Sequence, residues 1–157
     1  LENLRKNYEF EILIIGKFKE EKKKYKNLLN KDWVKFKGWV DNVDDYFKES
    51  IALLVPSKHK LSVRTKILDA FSSGLPVITF EANNFDDSFF KNNENIVCAE
   101  NNDDLIIGLR NIFFNKDFRK YISDNSYKTY QEKINVDKTI NQNIELIKNI
   151  LWKKKFG

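Results

Sequence analysis

The chain has 157 residues, of which 41% are hydrophobic and 32% charged, with a net charge of +5. That is one domain's worth of chain, long enough for a substantial core without cross-links. The single cysteine, Cys98, excludes an intramolecular disulfide and fits a reducing compartment. No apolar run approaches the roughly 18 to 20 residues of a membrane-spanning helix, and no secretory leader is visible. The positive charge permits an anionic ligand or surface without demanding one. The first residue is Leu1 rather than methionine, which reads as a piece of a longer protein. We ascribe the abundance of asparagine and lysine to base composition and give it no chemical role.

Residues 1–8 are polar around Leu4 and read as the end of a helix. Residues 10–15 form a first strand, Phe-Glu-Ile-Leu-Ile-Ile, closed by Gly16. Residues 17–30 are helical by composition, with Tyr25, Leu28 and Leu29 on one side and lysines elsewhere. A short strand over 33–37 alternates Val34 and Phe36, and Phe36 and Val40 are assigned to the core. A short helix over 41–50 follows, with Val43, Tyr46 and Phe47 as its apolar face.

The organising unit is 54–80. Residues 51–55 are a continuous apolar run stopped by Pro56 and Ser57, which suits a strand covered on both faces of a parallel sheet. The loop 57–63 then delivers Arg64, Thr65 and Lys66 to the start of a helix carrying Ile67, Leu68, Ala70 and Phe71. Gly74 can take the left-handed conformation that ends a helix, and Pro76 cannot continue one. Residues 77–80 are a second buried strand. Ligands of such sheets sit outside the carboxyl ends of the strands, and a helix N-terminus there favours phosphate.

After a polar loop, residues 96–99 form a last strand, within which Cys98 reads as a core residue. Leu105, Ile106, Leu109, Ile112 and Phe113 mark an amphipathic helix, and a second helix runs over 118–133. A third carries Val136, Ile140, Ile144, Ile147 and Leu151 at spacings of four and three. Strands alternating with helices predict an α/β fold: a doubly wound, Rossmann-like parallel sheet, with helices at the C-terminus.

Pro56-Ser57, Lys66-Ile67-Leu68-Asp69-Ala70, Gly74 and Pro76-Val77-Ile78 together resemble the nucleotide-sugar-binding lobe of GT-B glycosyltransferases. The resemblance is to the large retaining family 4 and covers the chain from about residue 10 to the last helix. It implies a single donor-binding lobe over 1–157. It also implies that an N-terminal acceptor lobe lies outside the chain, with this lobe's first strand and its basic diphosphate-gripping pair. The implied reaction moves a sugar from a UDP- or GDP-linked donor to a glycan, glycolipid or other acceptor. It proceeds with retention and without a catalytic metal or cofactor. The implied setting is cytoplasmic polysaccharide biosynthesis, at the cytoplasmic face of a membrane in one reading.

Asp69 stands where the family has the second acid of its paired-glutamate motif, which binds the donor ribose; a carboxylate accepts two hydrogen bonds from vicinal hydroxyls. Leu61 occupies the place of the first acid, which leaves His59 and Lys60 as the nearest polar substitutes. Arg64, Thr65 and Lys66, with Ser62 and His59, form the implied diphosphate and sugar side, where an arginine can chelate phosphate bidentately. Gly38 and Trp39 hold the position of a base-contacting loop. Gly16, Asp87 and Ser88 are weaker candidates. The isolated lobe is expected to be catalytically silent.

Two basic stretches stand apart, 17–26 and 152–156. Each reads by default as a solvated face, and the second, Trp-Lys-Lys-Lys-Phe, also suits an anionic membrane surface. No zinc-type cluster, metal-spaced acidic pair or serine–histidine nucleophile motif is present. No nucleic-acid module matches the order of elements. Two further classes stay open: a non-catalytic Rossmann-like scaffold lobe, and a sugar-nucleotide epimerase lobe.

Overall fold

The computed structural model describes residues 1–17, 26–56, 65–80 and 89–156. They fall into two compact units, residues 1–46 and 47–157, each with its own parallel sheet. The α/β, Rossmann-like class expected from the strand–helix alternation is what the chain adopts. Its strands lie in two sheets, one per unit.

The first unit opens with α1 (Glu2–Arg5), whose Leu4 is buried. Lys31 donates to Glu2 at 2.9 Å and holds its carboxyl below the usual carboxylate range, first through that hydrogen bond and then through its charge. Strand β1 (Ile12–Ile15) pairs in parallel with β2 (Val34–Gly38), Ile12 opposite Val34 and Ile14 opposite Phe36. The described part of the intervening helix is α2 (Lys26–Leu29). Trp33 is buried and meets Phe10 edge to face at 5.7 Å. Phe36, expected in the core, is exposed, and Val40 is only half-buried. Alternation puts Phe36 on the same face as the buried Val34, so among the described residues the cover over that face reaches Val34 and stops short of Phe36 two residues on.

Helix α3 (Asp44–Glu49) ends the first unit and begins the second, where Phe47 is buried. The second sheet has the order β3 (Leu53–Val55), β4 (Val77–Phe80), β5 (Val97–Ala99), all parallel. Central β4 is buried at every residue, the polar Thr79 included, as expected of a second buried strand. The run 51–55 is less covered than expected: Ile51 is 44% exposed and Leu53 and Leu54 are half-buried. Ile51 precedes the strand at the open amino edge, and β3 is an edge strand of its sheet. Cys98 is likewise half-buried, because in edge strand β5 it points opposite the buried Val97 and Ala99.

Helix α4 (Thr65–Ser72) connects β3 to β4 and places Ile67, Ala70 and Phe71 in the core, with Phe71 edge-on to Phe90 at 5.6 Å. Gly74 ends it at φ +64°, the left-handed turn its position foretold. Helices α5 (Asn102–Phe114) and α6 (Lys116–Thr129) follow the sheet. Each starts on an asparagine cap. Asn101 Oδ1 accepts from the N–H groups of Asp103 and Asp104, and Asn115 Oδ1 from that of Phe118. Buried Asn95 donates to Phe89 O and Thr129 Oγ1 and accepts from Lys91 N–H, tying the segment before β5 to α6. Asparagine therefore does structural chemistry that composition alone had not suggested. A π-helical turn (Tyr130–Ile134) leads to α7 (Val136–Phe156). The apolar stripe of α7 is exposed at Ile140, Ile144, Ile147 and Leu151. Among the described residues, no helix is long and apolar enough to cross a membrane.

Candidate nucleotide-sugar site

Four strand ends carry the predicted positions, two in each unit. In the second unit the carboxyl end of β3 is clamped to β4 at the pair Val55 and Thr79. The buried Thr79 hydroxyl lies 3.2 Å from Val55 O and 3.1 Å from Phe80 O and donates at that strand end. The chain re-emerges at α4, whose period separates two faces: 67, 70 and 71 are buried, while Thr65, Lys66 and Asp69 are exposed. Lys66 and Asp69 are three residues apart and so share a face. The Asp69 carbonyl accepts from Ser72 Oγ at 2.6 Å, which fixes the backbone at that turn. An exposed carboxylate beside an ammonium and a hydroxyl can accept from sugar hydroxyls and attract phosphate oxygens. His59, Ser62 and Arg64 lie outside the described residues, as do Lys60, Leu61, Asp87 and Ser88.

In the first unit the ends of β1 and β2 meet at two glycines, Gly16 N–H donating to Gly38 O at 2.7 Å. Gly38 sits at φ +73°, a conformation that lets the chain turn sharply into Trp39. Trp39 is 70% exposed, an unusual position for the largest apolar side chain. Lys17 Nζ lies 5.2 Å from its ring centroid, a cation–π contact that orients the indole. The pair presents a flat aromatic face and a positive charge at the carboxyl edge of this sheet. Gly38 and Trp39 stand among the positions that the family resemblance marks, whereas Lys17 was expected in a solvated helical run. Its place directly after a strand and a glycine was the available signal.

A strand and helix leading into a parallel strand, as β3, α4 and β4 do here, is the repeating unit of a Rossmann-like α/β lobe. The chain belongs to the glycosyl transferases group 1 family, whose model matches residues 1–113. Its parallel sheets and flanking helices are those of a GT-B glycosyltransferase lobe.

It resembles HepE from Anabaena, solved with UDP, at TM-score 0.76 and 14% identity over 89% of this chain and 41% of that one. A glycosyltransferase from Rickettsia africae superposes at TM-score 0.71 and 18% identity, over 94% of this chain and 41% of that chain. The C-terminal domain of the group 1 protein LpcC from Francisella tularensis gives TM-score 0.68 and 18% identity, over 85% of this chain and 74% of its own. The chain thus spans about two fifths of the length of the full proteins it matches. No curated protein matches the sequence.

Proposed function

We propose that this chain is the donor-binding lobe of a retaining glycosyltransferase, one that takes a sugar from a UDP- or GDP-linked donor and passes it to a glycan, glycolipid or related acceptor. The observation that carries the reading is the exposed Thr65–Lys66–Asp69 face of α4, the helix that follows β3 in a chain of this family. Asp69 accepts the ribose hydroxyls. Thr65 and Lys66, with Arg64, Ser62 and His59 of the preceding loop, hold the diphosphate and the sugar. Gly38 and Trp39 face the base. The lobe's chemical contribution is electrostatic. Cations and N–H groups hold the diphosphate as negative charge builds on it during cleavage of the glycosidic bond, so that no metal is required.

The reading includes a single lobe over 1–157, a separate acceptor lobe, and cytoplasmic work in polysaccharide assembly with peripheral contact to a membrane face. The UDP in the HepE structure supports the donor class. Leu61, in place of the family's first acid, favours a second reading, a scaffold lobe that has lost sugar handling.

Titration of the full-length protein with UDP and GDP separates the two. Under the first reading one nucleotide binds, and Asp69→Ala weakens it by the worth of a charged hydrogen bond, about 1.5 to 3 kcal/mol, with the melting temperature unchanged. Arg64→Ala lowers kcat as well as donor affinity, and Arg64→Lys restores part of both because the ammonium lacks the planar fork. Absence of nucleotide binding, or wild-type constants in all three variants, overturns the donor reading.

A further inference from the structure

The second unit has a concavity at the other edge of its sheet. A cavity of about 490 Å³ opens among the turn before β3, the turn between α4 and β4, and the first two turns of α6. These are the amino ends of the strands, whereas Thr65 and Asp69 follow a carboxyl end. Four residues at about 3.3 Å each make a strand roughly 13 Å long, so this cavity is a separate place.

Its walls are basic. Lys48, Lys116, Arg119 and Lys120 line it against one carboxylate, Asp124, which pairs with Lys120 at 2.6 Å. Arg119 is already fixed in direction. Its Nη1 donates to Ile112 O at 2.8 Å and to Phe113 O at 3.0 Å, the terminal carbonyls of α5. A guanidinium has five N–H donors, so this clamp uses one nitrogen and leaves the Nε and Nη2 edge as a planar fork. The floor is apolar, made by Phe47 and Leu75, both buried, and by Pro76. A row of solvated lysines on a convex face would have neither the floor nor the anchored fork.

We propose that this cavity binds a phosphate monoester, the guanidinium fork taking two oxygens while Lys116 and Lys120 neutralise the second charge. The apolar floor takes the carbon part of the ester. A ligand here stands away from the carboxyl edge and cannot react there; it acts as an effector or an anchor. The ester comes either from a free phosphorylated metabolite or from a lipid headgroup. The inference does not depend on the donor reading.

The test uses the full-length protein and three probes: inorganic phosphate, glycerol 3-phosphate, and phosphatidylcholine vesicles with and without phosphatidic acid. Calorimetry reads the soluble probes and co-sedimentation the vesicles, in buffer of ordinary ionic strength. The expected result is saturable binding of glycerol 3-phosphate or of the phosphatidic acid vesicles. It weakens at least about tenfold, roughly 1.4 kcal/mol, in Lys116→Gln/Lys120→Gln. Both lysines are exposed, so the double variant keeps its melting temperature. Arg119→Lys, which retains charge and loses the fork, weakens binding too. Glycerol 3-phosphate without vesicle binding identifies a metabolite, and vesicle binding a lipid. Binding of none of the probes overturns the proposal. So does binding that survives the double lysine variant and is lost in Lys66→Gln, which would put the phosphate at the α4 face. UDP affinity should be the same in wild type and the Lys116→Gln/Lys120→Gln variant, so failure of UDP to bind anywhere bears on the donor reading alone.

Discussion

Strands β1 and β4 are written in almost the same alphabet, Ile-Leu-Ile-Ile and Val-Ile-Thr-Phe, yet their burial differs at every position. β4 has a partner on both edges and is buried throughout; β1 pairs with β2 among the described residues and is half-buried throughout. An apolar run therefore specifies a strand, while the number of neighbours decides how much of its surface leaves water. At about 25 cal/mol per Å² of apolar area removed, the second unit draws more stability from each residue. An isolated two-stranded pair is marginal in water. The local contacts of the first unit include the Phe10–Trp33 edge-to-face pair, while the Glu2–Lys31 bridge is exposed to solvent and adds little.

The sharpest way to break this contrast is at α4. Phe71 is fully buried against Phe90, and Phe71→Ala should destabilise the protein by about 3 to 5 kcal/mol, read as a lowered urea midpoint. A loss below about 1 kcal/mol would mean that the second unit does not own the main core. Next comes a matched pair of truncations. Ile78→Ala should destabilise by about 2 to 5 kcal/mol, and Ile14→Ala by about half as much, since only part of its surface is covered. Equal values would show that β1 is as enclosed as β4 in the working protein.

Smaller still is the cap of α5, where Asn101→Ala should remove about 1 kcal/mol, with Asn101→Asp retaining it. The smallest stability effect belongs to Trp39. Trp39→Ala should change stability by less than about 0.5 kcal/mol but weaken nucleotide binding in the full-length protein. A large loss of stability would make Trp39 a core residue of some larger assembly and not a ligand platform.

The elements whose chemistry is local were legible from sequence. The Gly74 stop, the buried 77–80 run and the alternating faces of α4 all follow from period, glycine and proline. What escaped were features set by partners distant in the chain. Nothing around Phe36 says that the cover over Val34 on the same face stops short of it, and nothing around Ile51 says that it lies on the lip of a cavity. Asn95 looks like any loop asparagine until Thr129, 34 residues on, is seen to accept its hydrogen bond. Of the candidate site, Asp69 and Trp39 were named because both stand at positions that the family resemblance marks, and both are exposed. The clamp of Arg119 on the Ile112 and Phe113 carbonyls was not legible either, because it depends on where the end of α5 falls.

One contact carries an evolutionary consequence. At Gly108, buried in α5, a methyl group would lie 2.8 Å from Val97 Cγ1 and 3.8 Å from Ile78 Cγ2. The helix rests on the sheet at a distance that only a missing side chain allows. Positions 97 and 108 are therefore not free to drift separately. Gly108→Ala gains helix propensity, up to about 1 kcal/mol, but overpacks by about 1 to 3 kcal/mol, whereas with Val97→Ala beside it the added methyl finds room. The two changes should be epistatic, each harmful alone and milder together, with a coupling of about 0.5 to 3 kcal/mol in a double-mutant cycle. Lineages that acquire a side chain at 108 should be those that first trimmed 97.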